Sequence, residues 1–323
     1  MFFVTPSQLK RVGIIGMNRR NVLMIAQNNP RRLYPLVDNK LKTKNILEEA
    51  QVAAPKLIGV VKTQRNVREL GAFLAPFKSF VIKPAKGSGG KGILVINDHD
   101  GDNYVKPNGA VIRIQDVSRH ASNTISGMFS LGGNVDVAMI EEMVEFSNVF
   151  DGLSFQGIPD IRVIVFKGYP VMAMTRLSTS ASDGKANLHQ GAVGVGIDIA
   201  TGTALKAVQF GRPITHHPDT GKDLSKFIVP DWQNFLSLAS RCYENTKMGY
   251  LGVDIVLDAR KGPLILELNA RPGLAIQIAN GQGLQTRVRS VNQARKQNRD
   301  SDERVEFSMN SFQSRLKQTI NSI

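Results

Sequence analysis

The sequence has little cysteine, no long apolar run and none of the common sequence-reading motifs. Its one cysteine, Cys242, excludes a disulfide within the chain and fits a reducing compartment. No apolar run approaches the length of a membrane span. The start, MFFVTPSQLKRVGIIGM, puts its basic residues after the first apolar ones, which is not the order of a signal peptide. The cytoplasm is therefore the expected compartment. No zinc-finger spacing, recognition-helix pattern or aromatic–basic interleaving is present, so nucleic acid is not an expected partner. There is no internal repeat and no conspicuous nucleophilic serine or cysteine; Cys242 falls in an amphipathic pattern that reads as a helix.

What is present describes an ordinary globular chain: 323 residues, 42% apolar and 21% charged, enough for one large domain or two to three lobes. Charge is the exception, at +14 net. Residues 1–50 hold nine Lys/Arg against three Asp/Glu, and residues 284–323 hold eight against four, so the excess is mostly terminal. Such ends suit an anionic partner or, more simply, solvated helix faces, and the simpler reading is preferred.

In chain order, residues 6–29 read as helical, with Thr5-Pro6 as cap and first turn and Asn28-Asn29-Pro30 as stop. Residues 38–51 and 63–75 read as two more helices, with a short strand at 57–61 between them. Strands follow at 110–114 and 137–144, and residues 116–131 are polar with at most a short helix. The runs at 161–166 and 169–177 predict an antiparallel hairpin across Lys167-Gly168. Residues 178–192 form a long polar loop, His216-His217 reads as a surface turn rather than a metal site, and residues 231–248 predict an amphipathic helix. Beyond 275 the chain is polar, basic and helical in character, with Phe307, Met309 and Phe312 as packing points.

Two stretches carry chemistry. The first, FVIKPAKGSGGKGILVI (80–96), is a strand, a glycine-rich loop and a second strand. The loop matches G-x-G-x-x-G at Gly87, Gly89 and Gly92, but a strand follows where a dinucleotide site needs a helix, and Ala85 and Gly92 break a P-loop match. A glycine hairpin flanked by Lys83, Lys86 and Lys91 can still close over phosphates, because bare backbone N–H groups approach an anion closely. Lys83 lies inside an apolar strand and needs an anionic partner. The second stretch, GYLGVDIVLDARKGPLILELNARPG (249–273), is a pair of strands with Asp254, Glu267 and Asn269 embedded. Glu267 and Asn269 share a face, and with Asp254 opposite they would offer three hard oxygen ligands for Mg²⁺. The alternative is strand-end acids satisfied by Arg260 or Arg271. From the residues alone the two stand level.

Four elements in fixed order break the tie: a strand lysine with a glycine hairpin, the acidic strand IEEMV, the DIR…R…NLHQG segment and VDI…ELNARPG. Together they resemble the ATP-grasp superfamily, in particular α-L-glutamate ligases, ligases that add glutamate to a ribosomal protein, and sugar-transfer-associated relatives, over about residues 38–283. The resemblance implies an α+β ATP-grasp fold, two α+β lobes with antiparallel sheets enclosing ATP. It implies a short helical N-terminal segment (1–37), a small lobe with the glycine loop (38–139), a large lobe with the metal site (140–283) and a basic tail (284–323). It implies Lys40 and Lys83 as ATP lysines, Gly87, Ser88, Gly89, Gly90 and Gly92 as the phosphate loop, and Glu142 and Met143 as the adenine hinge. Asp160, Lys185 and Asn187 become further nucleotide contacts. Asp254, Glu267 and Asn269 become ligands of two Mg²⁺ ions, which Mn²⁺ could replace, and Arg162, Arg176 and Arg271 become the groups that neutralise the transferred phosphate or bind the acid substrate.

The activity implied is an ATP- and Mg²⁺-dependent carboxylate–amine ligase. The γ-phosphate passes to a carboxylate, an amine attacks the acyl phosphate, and phosphate leaves. The implied partners are ATP, an amino acid or other carboxylate, and an amine acceptor on a peptide or small molecule. Departures from the family pattern leave the substrates open: only about forty residues precede Asp38, Gln190 stands where ribosomal-protein ligases commonly have arginine, and residues 205–231 and 284–323 are extra. The other readings are an ATP-grasp phosphotransferase or sugar-transfer-associated enzyme on the same nucleotide site, and a nucleotide-binding module without turnover.

Overall fold

The computed structural model describes residues 5–87, 89–294 and 299–314. The chain forms two compact units. The smaller comprises Asp38–Glu48 and Ala54–Glu145; the larger comprises Met1–Val37, Glu49–Ala53 and Phe146–Ile323.

The small unit holds strands β1 (Leu57–Val61), β2 (Phe80–Pro84), β3 (Leu94–Ile96), β4 (Asp98–His99), β5 (Asn103–Val105), β6 (Val111–Arg113) and β7 (Ala138–Glu141). β1, β7, β2 and β3 form an antiparallel sheet in that order, and β4 to β6 form a second, three-stranded one. Their alternating apolar residues bury Phe80, Ile82, Ile96 and Ile140 against Leu70, Leu74, Val117 and Ala121 from the covering helices. One of these helices, Ile114–Ile125, is longer than the polar sequence suggests. Its Val117, Ala121, Thr124 and Ile125 fall on one buried stripe while the Ser and Asn residues face outward. The helix expected over 63–75 is two short ones, Gln64–Arg68 and Leu70–Leu74, meeting at Glu69.

The large unit holds β8 (Asp160–Phe166), β9 (Tyr169–Leu177), β10 (Val193–Ile197), β11 (Ala204–Gln209), β12 (Arg212–Ile214), β13 (Tyr250–Asp258) and β14 (Gly262–Asn269). They form one antiparallel sheet ordered β12-β11-β10-β9-β8-β13-β14. β8–β9 and β13–β14 are both hairpins, turning at Lys167-Gly168 and at the residues between Asp258 and Gly262. The helix Trp232–Thr246 buries Phe235, Leu236, Ala239 and Cys242, and Trp232 Nε1 donates to Ile199 O at 2.9 Å.

Four expectations change here. The helix foreseen over 6–29 is broken: Pro6–Arg11 ends before Gly13, which takes φ +74°, and helix resumes at Met17. Nor is the N-terminal stretch set apart from the larger unit. Buried Asn29 donates to Tyr250 O and Ala270 O and accepts from Tyr250 N, while Gln277 exchanges two bonds with the Ile15 backbone. Among the described residues beyond 284, Arg287 is buried and donates to Val171 O at 2.6 Å and Phe312 O at 2.9 Å, and Arg304 is buried against Ser240 and Glu244. The strand Ala138–Glu141 completes the small sheet, so the small unit runs to Glu145, past the 139 boundary read from the resemblance.

Candidate active site

In the small unit the chemistry gathers on one carboxylate. Glu141 ends β7, between β1 and β2, and is almost wholly buried. Lys83 Nζ lies 2.5 Å from its Oε2 and Lys44 Nζ lies 2.9 Å from its Oε1. Lys44 also donates to Pro55 O. Burial alone would push the Glu141 carboxyl up, but the two lysines outweigh it and hold it below the usual range. Burial pushes Lys44 down from its ordinary value, with Glu141 opposing and the charge of Lys83 adding to the fall. Two buried ammonium groups on one carboxylate leave an excess of positive charge inside an apolar sheet. That imbalance is costly unless a further anion arrives.

Lys40 begins the helix Lys40–Glu49, one turn before Lys44. Its N–H donates to Ala85 O and its Nζ to Gly87 O, both at 2.8 Å, so it clasps the start of the glycine loop. Gly89, Gly90 and Gly92 all adopt the left-handed region. A Cβ on Gly92 would sit 2.4 Å from Phe129 Cγ, and one on Gly87 would sit 2.3 Å from Pro84 Cγ, whereas Gly89 and Gly90 face open space. The Ser88 assignment lies outside the described residues. Lys86 is held by the loop's own surroundings, its N–H on Asp136 and its Nζ on Val135 O. Glu142 donates its N–H to Lys56 O at 2.9 Å, and Met143 follows it, partly buried.

In the large unit six predicted residues share one sheet face. Cross-strand register pairs Arg176 on β9 with Asp160 on β8, Arg162 on β8 with Asp254 on β13, and Asp254 with Glu267 on β14. Asp160 and Arg162 are two apart, as are Glu267 and Asn269, so each pair keeps to a face. Opposite Asn269 is Gly252, where a Cβ would come within 2.9 Å of Pro272. Arg162 grips Asp254 with both arms of its fork, Nε to Oδ1 at 2.7 Å and Nη2 to Oδ2 at 2.6 Å. Arg176 grips Asp160 in the same way and bridges to Asp254 Oδ2 at 2.8 Å.

These charges set each other's protonation. Burial would raise Asp254, but Arg162 and Arg176 bring it down to about 2. Burial would lower Arg176, but Asp160 and Asp254 raise it further. Asp160 is pushed up by burial and by the neighbouring Asp254, against the pull of Arg176. The acids are thus partnered by Arg162 and Arg176, which come from other strands. Arg260 gives its N–H to Asp258, and Arg271 gives its N–H to Asn269 Oδ1 at 2.8 Å while its guanidinium lies over the Tyr34 ring at 4.9 Å.

The donor set suits a hard divalent cation: two carboxylates and an amide oxygen on one face. An ionised carboxylate offers about four lone-pair sites. Asp254 spends three on arginine, leaving one on Oδ1, and Asn269 Oδ1 spends one of its two on Arg271. Among the described residues no group of three His, Cys, Asp or Glu is arranged to hold a metal, so any such site depends on Asn269 as well as the two acids.

The other predicted contacts are engaged in their own loop. Lys185 Nζ reaches Asp183 at 2.9 Å, and Asn187 Oδ1 accepts from His189 N at 3.0 Å, capping the short turn Leu188–Gln190. His217, read as part of a surface turn, is buried and bonds Ser178 O at 3.0 Å, so residues 215–224 support the loop's first residues. The residues missed in the sequence are Lys44 and Glu141 as a pair. The signal available was the spacing of Lys40 and Lys44, which puts both on one helix face.

The model of the family described as sugar-transfer associated ATP-grasp matches residues 19–293 of the chain. No match was found among curated proteins. Among solved structures the chain is similar to the ATP-grasp ligase PsnB complexed with minimal precursor, at 14% identity and a TM-score of 0.44, over 84% of this chain and 63% of that one. It is similar to the D-alanine–D-alanine ligase from Bacillus anthracis at 14% identity and 0.42, over 86% and 68%. The RimK domain ATP-grasp protein from Sphaerobacter thermophilus gives 13% and 0.43, over 78% and 69%. The chain thus spans less than two thirds of the length of PsnB, and likenesses this distant assign it no activity.

Proposed function

The chain belongs to the sugar-transfer associated ATP-grasp family, and from that premise we propose that it is an ATP- and Mg²⁺-dependent carboxylate–amine ligase. Its two α+β units, each on antiparallel sheets, are the ATP-grasp fold. The observation that carries the reading is the polar face of the seven-stranded sheet, where Asp160, Arg162, Arg176, Asp254, Glu267 and Asn269 gather from four neighbouring strands.

In this reading Asp254, Glu267 and Asn269 would hold Mg²⁺. Bound there, the ion supplies charge neutralisation for the phosphates. Arg162 and Arg176 are already oriented by carboxylates, so their remaining N–H groups meet a phosphoryl group with little reorganisation. Arg271, exposed and lying over Tyr34, brings a planar guanidinium whose geometry suits a substrate carboxylate. Lys40, Lys83, Lys44 and the loop Gly87–Gly92 take the phosphate chain, since the Glu141 cluster has a cation to spare. Glu142 and Met143 present the backbone to adenine, and Asp160, Lys185 and Asn187 complete the nucleotide contacts. The acid is an amino acid such as glutamate, and the acceptor is an amine on a peptide or small molecule. The family's description favours a second reading, phosphoryl transfer serving sugar transfer from the same nucleotide site.

Incubation with ATP, Mg²⁺ and a panel of amino acids, acidic peptides and sugars separates the two. ADP with an amide product supports ligation; ADP with a stable phosphorylated product supports the second reading. Glu267→Ala is expected to lower turnover at least about a hundredfold, as removal of one transition-state donor does elsewhere. Full turnover by that variant would overturn the assignment of the site.

A further inference from the structure

The large unit has a cavity of about 250 Å³ that none of the candidate-site residues lines. Its floor is the β8–β9 turn, with Phe166 and Lys167. Asp160 begins β8 and Phe166 ends it, so the cavity lies about 20 Å along the strand from the charged face. One wall is Arg19 and Leu23, four apart on the N-terminal helical segment. The other is Gln285, Arg289 and Asn292, which share a face of the helix Gln285–Ala294 at helical spacing.

Three of the twelve lining residues are cations and none is acidic. Moreover, the first 37 residues of the chain contain no Asp or Glu at all. Arg19 donates to Gln285 Oε1 at 2.6 Å and Lys167 to Asn292 Oδ1 at 2.7 Å. Gln285 is a neutral amide, so that bond does not cancel the Arg19 charge it holds in place. Cations brought together from three elements repel one another, and an anion among them relieves that repulsion. Arginine forks match phosphate oxygens in pairs, and the amides of Gln285 and Asn292 can turn their NH₂ groups to the same oxygens. Phe166 and Val288 give the cavity an apolar side for the carbon part of such a molecule.

We propose that this cavity binds a phosphate ester, as a site separate from the nucleotide site. The ester is carried by a soluble metabolite or by a lipid headgroup, since Leu23 in its wall is 40% exposed and the preceding Val22 is 56% exposed. Isothermal titration of the full chain, saturated with ADP and Mg²⁺, with glycerol 3-phosphate tests the first source. Co-flotation with vesicles of phosphatidylglycerol and phosphatidylcholine, against phosphatidylcholine alone, tests the second. One-to-one binding of glycerol 3-phosphate, or flotation only with the anionic vesicles, is expected. Arg19→Gln and Arg289→Gln should each weaken it about tenfold, the loss of one charge-assisted bond. Thermal melts check that both variants fold. No binding in either arm, or binding that the Arg19→Gln/Arg289→Gln double variant retains in full, would overturn the proposal.

Discussion

Asp254 accepts three hydrogen bonds from Arg162 and Arg176, and its behaviour is directly measurable. Removing its carboxylate leaves Arg162 and part of Arg176 buried without a counter-charge. Asp254→Ala is therefore expected to cost about 3–5 kcal/mol in urea unfolding. Its titration has a definite sign. The carboxyl ionises at about 2 in the folded chain against 3.8 in the open one. The stability it contributes, about 2 kcal/mol, is complete above pH 4 and is lost as pH falls through 2. Urea unfolding between pH 5 and pH 2 should show that loss in the parent chain and not in Asp254→Asn. Asp160 acts in the opposite sense: its raised value means that its ionised form is disfavoured by folding, so its cost grows as pH rises. In the small unit, Glu141→Gln should destabilise by about 3 kcal/mol or more, because Lys44 and Lys83 would then face each other uncompensated.

Among elements, the glycine hairpin between β2 and β3 makes a graded prediction. Gly90 has a positive φ and open space, so Gly90→Ala should cost only the backbone strain, about 1 kcal/mol. Gly92 has the same φ and also meets Phe129 at 2.4 Å. Gly92→Ala should therefore destabilise distinctly more, and it should weaken ATP binding more than Gly90→Ala does, both measured by calorimetry. Equal effects would mean that the Phe129 contact is not what shapes the loop. The strands themselves were readable, since β8, β9, β13 and β14 are runs of apolar and β-branched residues separated by Lys167-Gly168 and by a turn ending in Gly262. The N-terminal helix and the helix at 114–125 were not. The break at Gly13 depends on the bonds that Gly283 and Gln285 make to Val12 and Gly13, and the longer helix depends on a sheet to bury its stripe.

For the whole molecule, the terminal charge excess looks different once folded. Arg287 and Arg304, two of the eight cations after residue 283, are interior and tie the last helix to β9 and to the helix Trp232–Thr246. Phe307 packs edge-on to both Tyr169 and Phe312, and Phe312 is buried. Phe312→Ala is expected to cost about 3 kcal/mol and lower the Tm measurably by circular dichroism. A tail that merely solvated the surface would show no such loss. Cationic ends were visible from composition; that some of them are staples and others line a cavity required knowing what packs on them.

The sequence by itself determined parity. With a strand period of two, Glu267 with Asn269, and Asp160 with Arg162, had to share faces wherever the strands lay. It also determined where the chain must turn, at Lys167-Gly168 and in the glycine loop. Only the tertiary structure decided neighbours. β8 lies between β9 and β13, so Arg162 and Arg176, from 92 and 78 residues away in the chain, reach Asp254 before the adjacent Arg260 or Arg271 can. Likewise Lys44, one of three lysines on one short helix, is chosen as the partner of Glu141 by burial and not by spacing. Local periodicity follows from backbone geometry that each residue carries with it, whereas the pairing of buried charges follows from which distant segments exclude water together.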